Sequence, residues 1–285
     1  MGKQQGSTKE FDKNWVARSE ATRSHWSKGK PKHQIELAFQ QHFDFIKEVI
    51  GLPKEGAVLD VGAGRGSMSS FFADEGYDVT LLDSSSHVLD VAKNIFSANK
   101  HDASYICSDV QSMPVEDASF DVVISIGLLE HFKDIVPPMR EQLRILKPGG
   151  TFIAYIIPQR KDNVQTLFQP LNDALKKFAF LFGQSNKVKQ KSRVYRNDYD
   201  SKQYVRYLKR KRDVVGIRTT GIYPFPELSY SPSFPFTVLP QFIESTIVRV
   251  YINILEWRRR VYNKHPWMCE EELGQGFMVW CKKKK

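Results

Sequence analysis

Eight positions carry side chains, or a lack of them, that could do chemistry at fixed spacing: Asp60, Gly62, Gly64, Gly66, Asp83, Asp109, Glu130 and His131. The stretch VLDVGAGRG reads as a short apolar run feeding a turn with three glycines, and a helix start follows at about Ser67. Glycines there allow a tight turn and close approach of backbone to a ligand. The free N–H groups of a helix N-terminus complete a cradle of the nucleotide type. Asp83 follows Gly62 by 21 residues and ends the next apolar run, where a carboxylate can accept from both hydroxyls of a ribose. Asp109 ends the run after that. It is placed to accept from the exocyclic amine of adenine, with the Val110 N–H meeting a ring nitrogen.

Two cofactor readings compete for this cradle. A dinucleotide fingerprint wants GxGxxG, but here the third glycine, Gly66, falls one residue early. Asp60 also precedes the turn, where its carboxylate would repel a pyrophosphate yet tolerate an ammonium-bearing aminoacyl group. These two departures favour S-adenosylmethionine (SAM) over a nicotinamide cofactor, and they make a dehydrogenase the weaker reading. His131, in LLEHF after the fourth apolar run, is the best candidate for a general base, with its neighbour Glu130 placed to orient it or to bind a substrate cation. His33, His42 and His265 read as structural or solvent-facing.

The elements that must position these residues alternate. An amphipathic helix is expected over 34–50, stopped by Gly51 and Pro53. Strands are expected at AVLDVG, DVTLLD, SYICSDV, FDVVISIG and TFIAYIIP. Helices between them start at Ser67, Ser86 and about Ile135, and LKPGG makes a break before the fifth strand. Such alternation implies βαβ units and a doubly wound, Rossmann-like, mostly parallel α/β sheet. Further helices are expected over 164–182, 199–212 and 241–261, with strands at DVVGIRTTGIY and GFMVWCKKKK. The domain reading is a helical extension or lid over 1–50, a SAM-binding core over 51–158, and a C-terminal part of the core with helical insertions on the substrate side over 159–285. Trp15 and Trp26 are candidates to close over the site.

The segment from Ala57 to Ile157 resembles the class I SAM-dependent methyltransferase family, most of all its small-molecule branch that includes ubiquinone/menaquinone C-methyltransferase-like enzymes. The motifs that carry the resemblance are VLDVGAGRG, LLDSS, CSDVQSMPVEDASFDVVIS, GLLEHF and LRILKPGG, about a third of the chain. The resemblance implies a seven-stranded sheet with the last strand inserted antiparallel. It also implies SAM contacts at Gly62, Ala63, Gly64, Asp83, Ser84, Asp109 and Val110, with Ile126, Gly127 and Leu128 lining the methionine side. The expected activity is in-line methyl transfer to an O, N or C nucleophile, with S-adenosylhomocysteine (SAH) as product and no metal.

Composition bounds the acceptor. The net charge is +10, and between Gln159 and Asp213 there are 15 Lys/Arg against 5 Asp/Glu, whereas the rest of the chain holds 27 of each. The patch suits an anionic partner, so RNA and lipid methylation using 159–213 stand as alternatives, beside a SAM-binding module without catalysis. Strand four ends in SIGLLEHF and lacks the Asn/Asp-Pro-Pro-aromatic pattern of base amino methylation, which favours a small-molecule acceptor. The aromatics of the insertions suit a bulky, aromatic or anionic one. Three scattered cysteines, no 18-residue apolar run and a polar start suggest a cytoplasmic protein, monomer or homodimer.

Overall fold

The computed structural model describes residues 25–160, 162–181, 194–229 and 239–285. Strands β1 (Ala57–Val61), β2 (Asp78–Asp83), β3 (Ser104–Cys107), β4 (Phe120–Ile126), β5 (Leu146–Ile156), β6 (Val214–Ile222), β7 (Met268–Cys269) and β8 (Gly276–Lys283) form one sheet in the order β3-β2-β1-β4-β5-β8-β6-β7. The first five are parallel, and β8 runs antiparallel between β5 and β6. The sheet therefore has eight strands, not seven. The extra one is the two-residue β7, which pairs Cys269 and Met268 with Gly221 and Ile222 and covers the edge that β6 would otherwise expose.

Period-two alternation along the strands splits the core into two layers. Val58, Val79, Leu81, Val122, Ile124, Ile153, Met278 and Trp280 face one layer, and Leu59, Leu82, Val123, Phe152, Phe277 and Val279 the other. On the first lie α1 (Gln34–Phe45, continued by a π turn over Ile46–Ile50), α2 (Ser67–Asp74), α3 (Ser86–Asn99) and α8 (Gln241–Val261). On the second lie α4 (Val136–Arg144) and α7 (Ser201–Lys209). The short α5 (Val164–Leu167) and α6 (Gln169–Leu181) follow β5. Local chemistry sets the starts: Ser85 caps α3 through Val88 N–H, Asn163 caps α5 through Thr166 N–H, and Asp200 caps α7 through Lys202 N–H. The break expected at LKPGG is instead the irregular beginning of β5, with a register shift against β4 at Phe120/Val122.

Trp15 and the first half of the expected lid lie outside the described residues, as do 182–193 and 230–238 of the expected insertions. Trp26 is described. Its indole N–H donates to Asp74 (2.8 Å) and its ring meets His101 edge-on, so it fastens the N-terminal segment to the flank of α2. No helix among the described residues is long and apolar enough to cross a membrane.

Candidate cofactor and acceptor site

The ends of β1 and β2 and the start of α2 converge on the glycine turn. Gly62 and Ala63 donate to the Leu82 carbonyl at 2.7 and 3.1 Å, and Gly64 N–H donates to Asp83 Oδ2 at 3.0 Å. Gly62 and Gly66 have φ of +69° and +74°. A Cβ at Gly62 would sit 2.7 Å from the Leu128 side chain, and one at Gly66 would sit 2.6 Å from Leu81. Only glycine fits both positions. Asp60 is buried beneath the turn and accepts from the Ser69 hydroxyl at 2.6 Å. Burial pushes its carboxyl up to about 7, against the opposing Ser69 bond. Arg65 is buried too, and burial brings it down to about 9. His25 N–H donates to Ser67 Oγ (3.2 Å), so the N-terminal segment reaches the first residue of α2.

Asp83 Oδ1 accepts the Ser85 N–H (3.0 Å), and Ser84 is exposed between them. Ser108 N–H donates to the Asp83 carbonyl, which sets the end of β3 beside the end of β2. There Asp109, exposed, holds the Gln111 N–H at 2.9 Å, and Val110 is buried behind it. Asp60, the glycines, Ala63, Asp83, Asp109, Val110 and Leu128 thus line one edge of the sheet. These residues fit SAM: the turn offers close backbone approach, and Asp83 is a half-buried carboxylate at the second strand end.

Across the turn, β4 leads through Ile126 and Gly127, whose N–H donates to the Tyr155 carbonyl, into a 3₁₀ turn over Leu129–His131. Glu130 is fully buried, and neither carboxylate oxygen has a hydrogen-bond partner. Burial raises it to about 7 although Arg196 pulls it down. His131 Nδ1 donates to the Tyr195 carbonyl at 2.6 Å, and its Nε2 is 4.0 Å from Glu130 Oε1. Burial, with Arg196 adding to it, lowers the imidazole to about 4, so the ring is neutral at pH 7.

Sequence reasoning missed the strap that makes this turn rigid. Asn197 donates from its amide to the carbonyls of Leu129 (3.4 Å) and Phe132 (3.0 Å) and to Tyr204 Oη (3.3 Å), and its N–H bonds the Glu130 carbonyl at 2.7 Å. It also missed Tyr155 and Glu227, both buried with unpartnered polar atoms. One signal was available for Glu227: it is an isolated acid in the apolar, proline-rich run YPFPELS. His42 and His265 are structural, since His42 accepts the Trp267 indole N–H at 3.0 Å and His265 receives the Trp267 N–H.

Comparison with known proteins follows this geometry. Residues 59–154 match the family model described as a methyltransferase domain. The chain is 30% identical over 145 residues to the ubiquinone biosynthesis O-methyltransferase of Coxiella burnetii, covering 50% of this chain and 62% of that protein. It is 37% identical over 109 residues to the demethylmenaquinone methyltransferase of Renibacterium salmoninarum, covering 38% and 44%. The matched stretch thus spans less than two thirds of these relatives' own length. Among solved structures, a SAM-dependent methyltransferase from Thermotoga maritima superposes with a TM-score of 0.53 at 16% identity, covering 97% of both chains, which shows the shared fold. Residues 59–154 are thus similar to methyltransferase domains, and the fold is that of SAM-dependent methyltransferases.

Proposed function

We propose that the chain is a SAM-dependent methyltransferase acting on a small or medium-sized organic molecule. The observation that carries this is the Asp83 carboxylate, braced by two backbone N–H groups beside a turn that admits only glycine at Gly62 and Gly66. SAM, when bound, supplies an electrophilic methyl on a sulfonium. The chain's own residues do the rest. Asp83 and Ser84 hold the ribose side, Asp109 and Val110 the adenine, and the backbone of Gly62, Ala63, Gly64 and Gly66 the aminoacyl end. Asp60 ties β1 to α2 beneath that end, and Ile126, Gly127 and Leu128 wall the methionine chain. Alignment of the nucleophile is the main catalytic contribution open to such a site.

Glu130 is the group that takes a proton from a protonated acceptor. Its value of about 7 suits a base working near neutrality. His131 positions it, by pinning the turn to Tyr195. The resemblance of the relatives named above, which are called quinone-pathway methyltransferases, supports a small acceptor. The buried carboxylates of the site argue against an anionic one.

The test is calorimetric titration of SAH into the wild type and Asp83→Ala. Loss of two backbone-bound carboxylate bonds is expected to weaken affinity by at least about tenfold, or ~1.4 kcal/mol. Equal affinity in both would overturn the assignment. Glu130→Gln is expected to lower kcat with any accepted substrate while SAH affinity is retained.

A further inference from the structure

Three buried side chains near the end of β5 carry polar atoms that no described group satisfies: the Tyr155 hydroxyl, both oxygens of Glu130 and both oxygens of Glu227. All three are at least nine-tenths buried, at 2, 0 and 3% exposure. They belong to one neighbourhood: Gly127 N–H donates to the Tyr155 carbonyl at 2.9 Å, a Cβ at Gly127 would lie 3.6 Å from Glu130 Oε1, and the charges of Glu130 and Glu227 both bear on the Tyr155 hydroxyl. Buried carboxylates are normally paired. Arg196 answers part of the charge of Glu130. The charge that bears on Glu227 is a second acid, Glu244, whose own oxygens accept from Gln34.

Glu227 is also held with unusual care. Its N–H and carbonyl are bonded to Gln165, its carbonyl also takes the Asn172 amide, and the next residue, Leu228, exchanges both backbone bonds with Gln34. Amides from two helices thus fix the Glu227 backbone and one from a third fixes Leu228, while the Glu227 carboxylate has no hydrogen-bond partner among the described residues. Next to it stands an aromatic wall. Tyr155 packs 4.4 Å from His42, Tyr223 stacks on Trp267 at 4.8 Å, and Phe225 lies 6.0 Å from Trp267. Tyr223, a non-glycine residue, holds φ at +68° and feels Glu227 directly. Strained backbone of this kind is found where the surroundings over-determine a functional position.

We infer that Glu227, Glu130, the Tyr155 hydroxyl and the Tyr223–Trp267 wall form the subsite of an acceptor's ammonium group, so that the substrate class is a small amine. Carboxylates with aromatic faces are the chemistry that selects an alkylammonium over neutral or anionic isosteres. This rests on the methyltransferase reading above, which supplies the neighbouring cofactor. Burial and Glu244 push the Glu227 carboxyl well above the usual carboxylate range, which favours its protonated form. An entering ammonium ionises it, and that proton leaves to solvent.

The experiment is calorimetry on the SAH-loaded full chain with methylammonium, benzylammonium and tetramethylammonium, against benzyl alcohol and benzoate. At least one cation is expected to bind about tenfold or more tighter than both isosteres. Binding of the primary ammonium should release a proton, seen as a dependence of the measured heat on buffer ionisation enthalpy. Glu227→Gln should weaken the cation about tenfold and abolish the proton release, and Tyr155→Phe, which removes only a hydroxyl, should weaken it several-fold. SAH titration of the same variants reports whether the fold and cofactor side persist. Cations no tighter than benzyl alcohol, or an unchanged Glu227→Gln, would overturn the amine assignment alone. A wild type that does not take SAH would defeat the methyltransferase reading instead.

Discussion

Asp60 and Glu130 show how one side-chain chemistry is spent in two ways. Each is buried and pushed up to about 7, but Asp60 is answered by the Ser69 hydroxyl, whereas Glu130 has no hydrogen bond to either oxygen. The consequence for Glu130 can be signed. Its folded value lies above the ordinary 4.5, so the folded state holds the proton more tightly than the unfolded one. Its stabilising contribution is complete below about 4.5 and is lost as pH rises through about 7. Denaturant unfolding of wild type and Glu130→Gln, compared from pH 4.5 to 7.5, should therefore show wild-type stability falling relative to the variant as pH rises. A constant or rising difference would contradict the assignment. At this scale the sequence was informative where backbone placement alone sets a role. Asp83 is the last residue of β2, as its spacing from the glycines implied, whereas Asp109 lies two residues beyond the end of β3 at Cys107. Glu227 was not legible, because its burial depends on Gln34, Gln165 and Asn172, which lie 55 to 194 residues from the positions they hold.

Among the elements, the glycine turn and the strap at 194–200 do opposite jobs. The turn works by what it omits. Gly66→Ala would force a Cβ to within 2.6 Å of Leu81 and 2.7 Å of Phe96 at a left-handed φ. About 1–3 kcal/mol of stability should be lost, read as a drop in thermal midpoint. The strap works by what it donates. Asn197→Ala would strip the carbonyls of Leu129 and Phe132 of a donor inside the protein, costing about 1–3 kcal/mol. It should also loosen Glu130, so kcat should fall more than SAH affinity; equal losses in both would place Asn197 in the general scaffold only. The helix over 241–261 was legible to its ends because a proline opens it and its apolar spacing persists for 21 residues. A two-residue strand has no periodicity to read, so β7 could only come from the structure.

For the whole molecule, the proposed cofactor residues come from the parallel half of the sheet, and the proposed acceptor subsite joins Glu130 and Tyr155 of that half to Tyr223, Glu227 and Trp267 beyond it. Charge divides differently. Among the described basic residues of 159–213, Lys202, Lys209 and Arg212 are exposed, while the acids Glu130, Glu227 and Glu244 are buried. Sequence composition registered the first and could not register the second, since net charge counts residues and not depth. The sheet as a whole followed from alternation of strand and helix, and the antiparallel place of the last strand followed from resemblance.

That last strand has a kinetic meaning. Among the described residues, 276–283 form the strand that joins β5 to β6, and Ile156 meets its partner Phe277 across 121 positions of chain. Until that loop closes, β1 to β5 can assemble as a unit, but β6 and β7 have nothing to pair with on the growing sheet. Contacts so distant in sequence form late and slowly. Refolding should accordingly pass through a species with the parallel half formed and Trp280 still solvated, and the environment of Trp280, buried against Phe45, reports the moment at which the two halves become one.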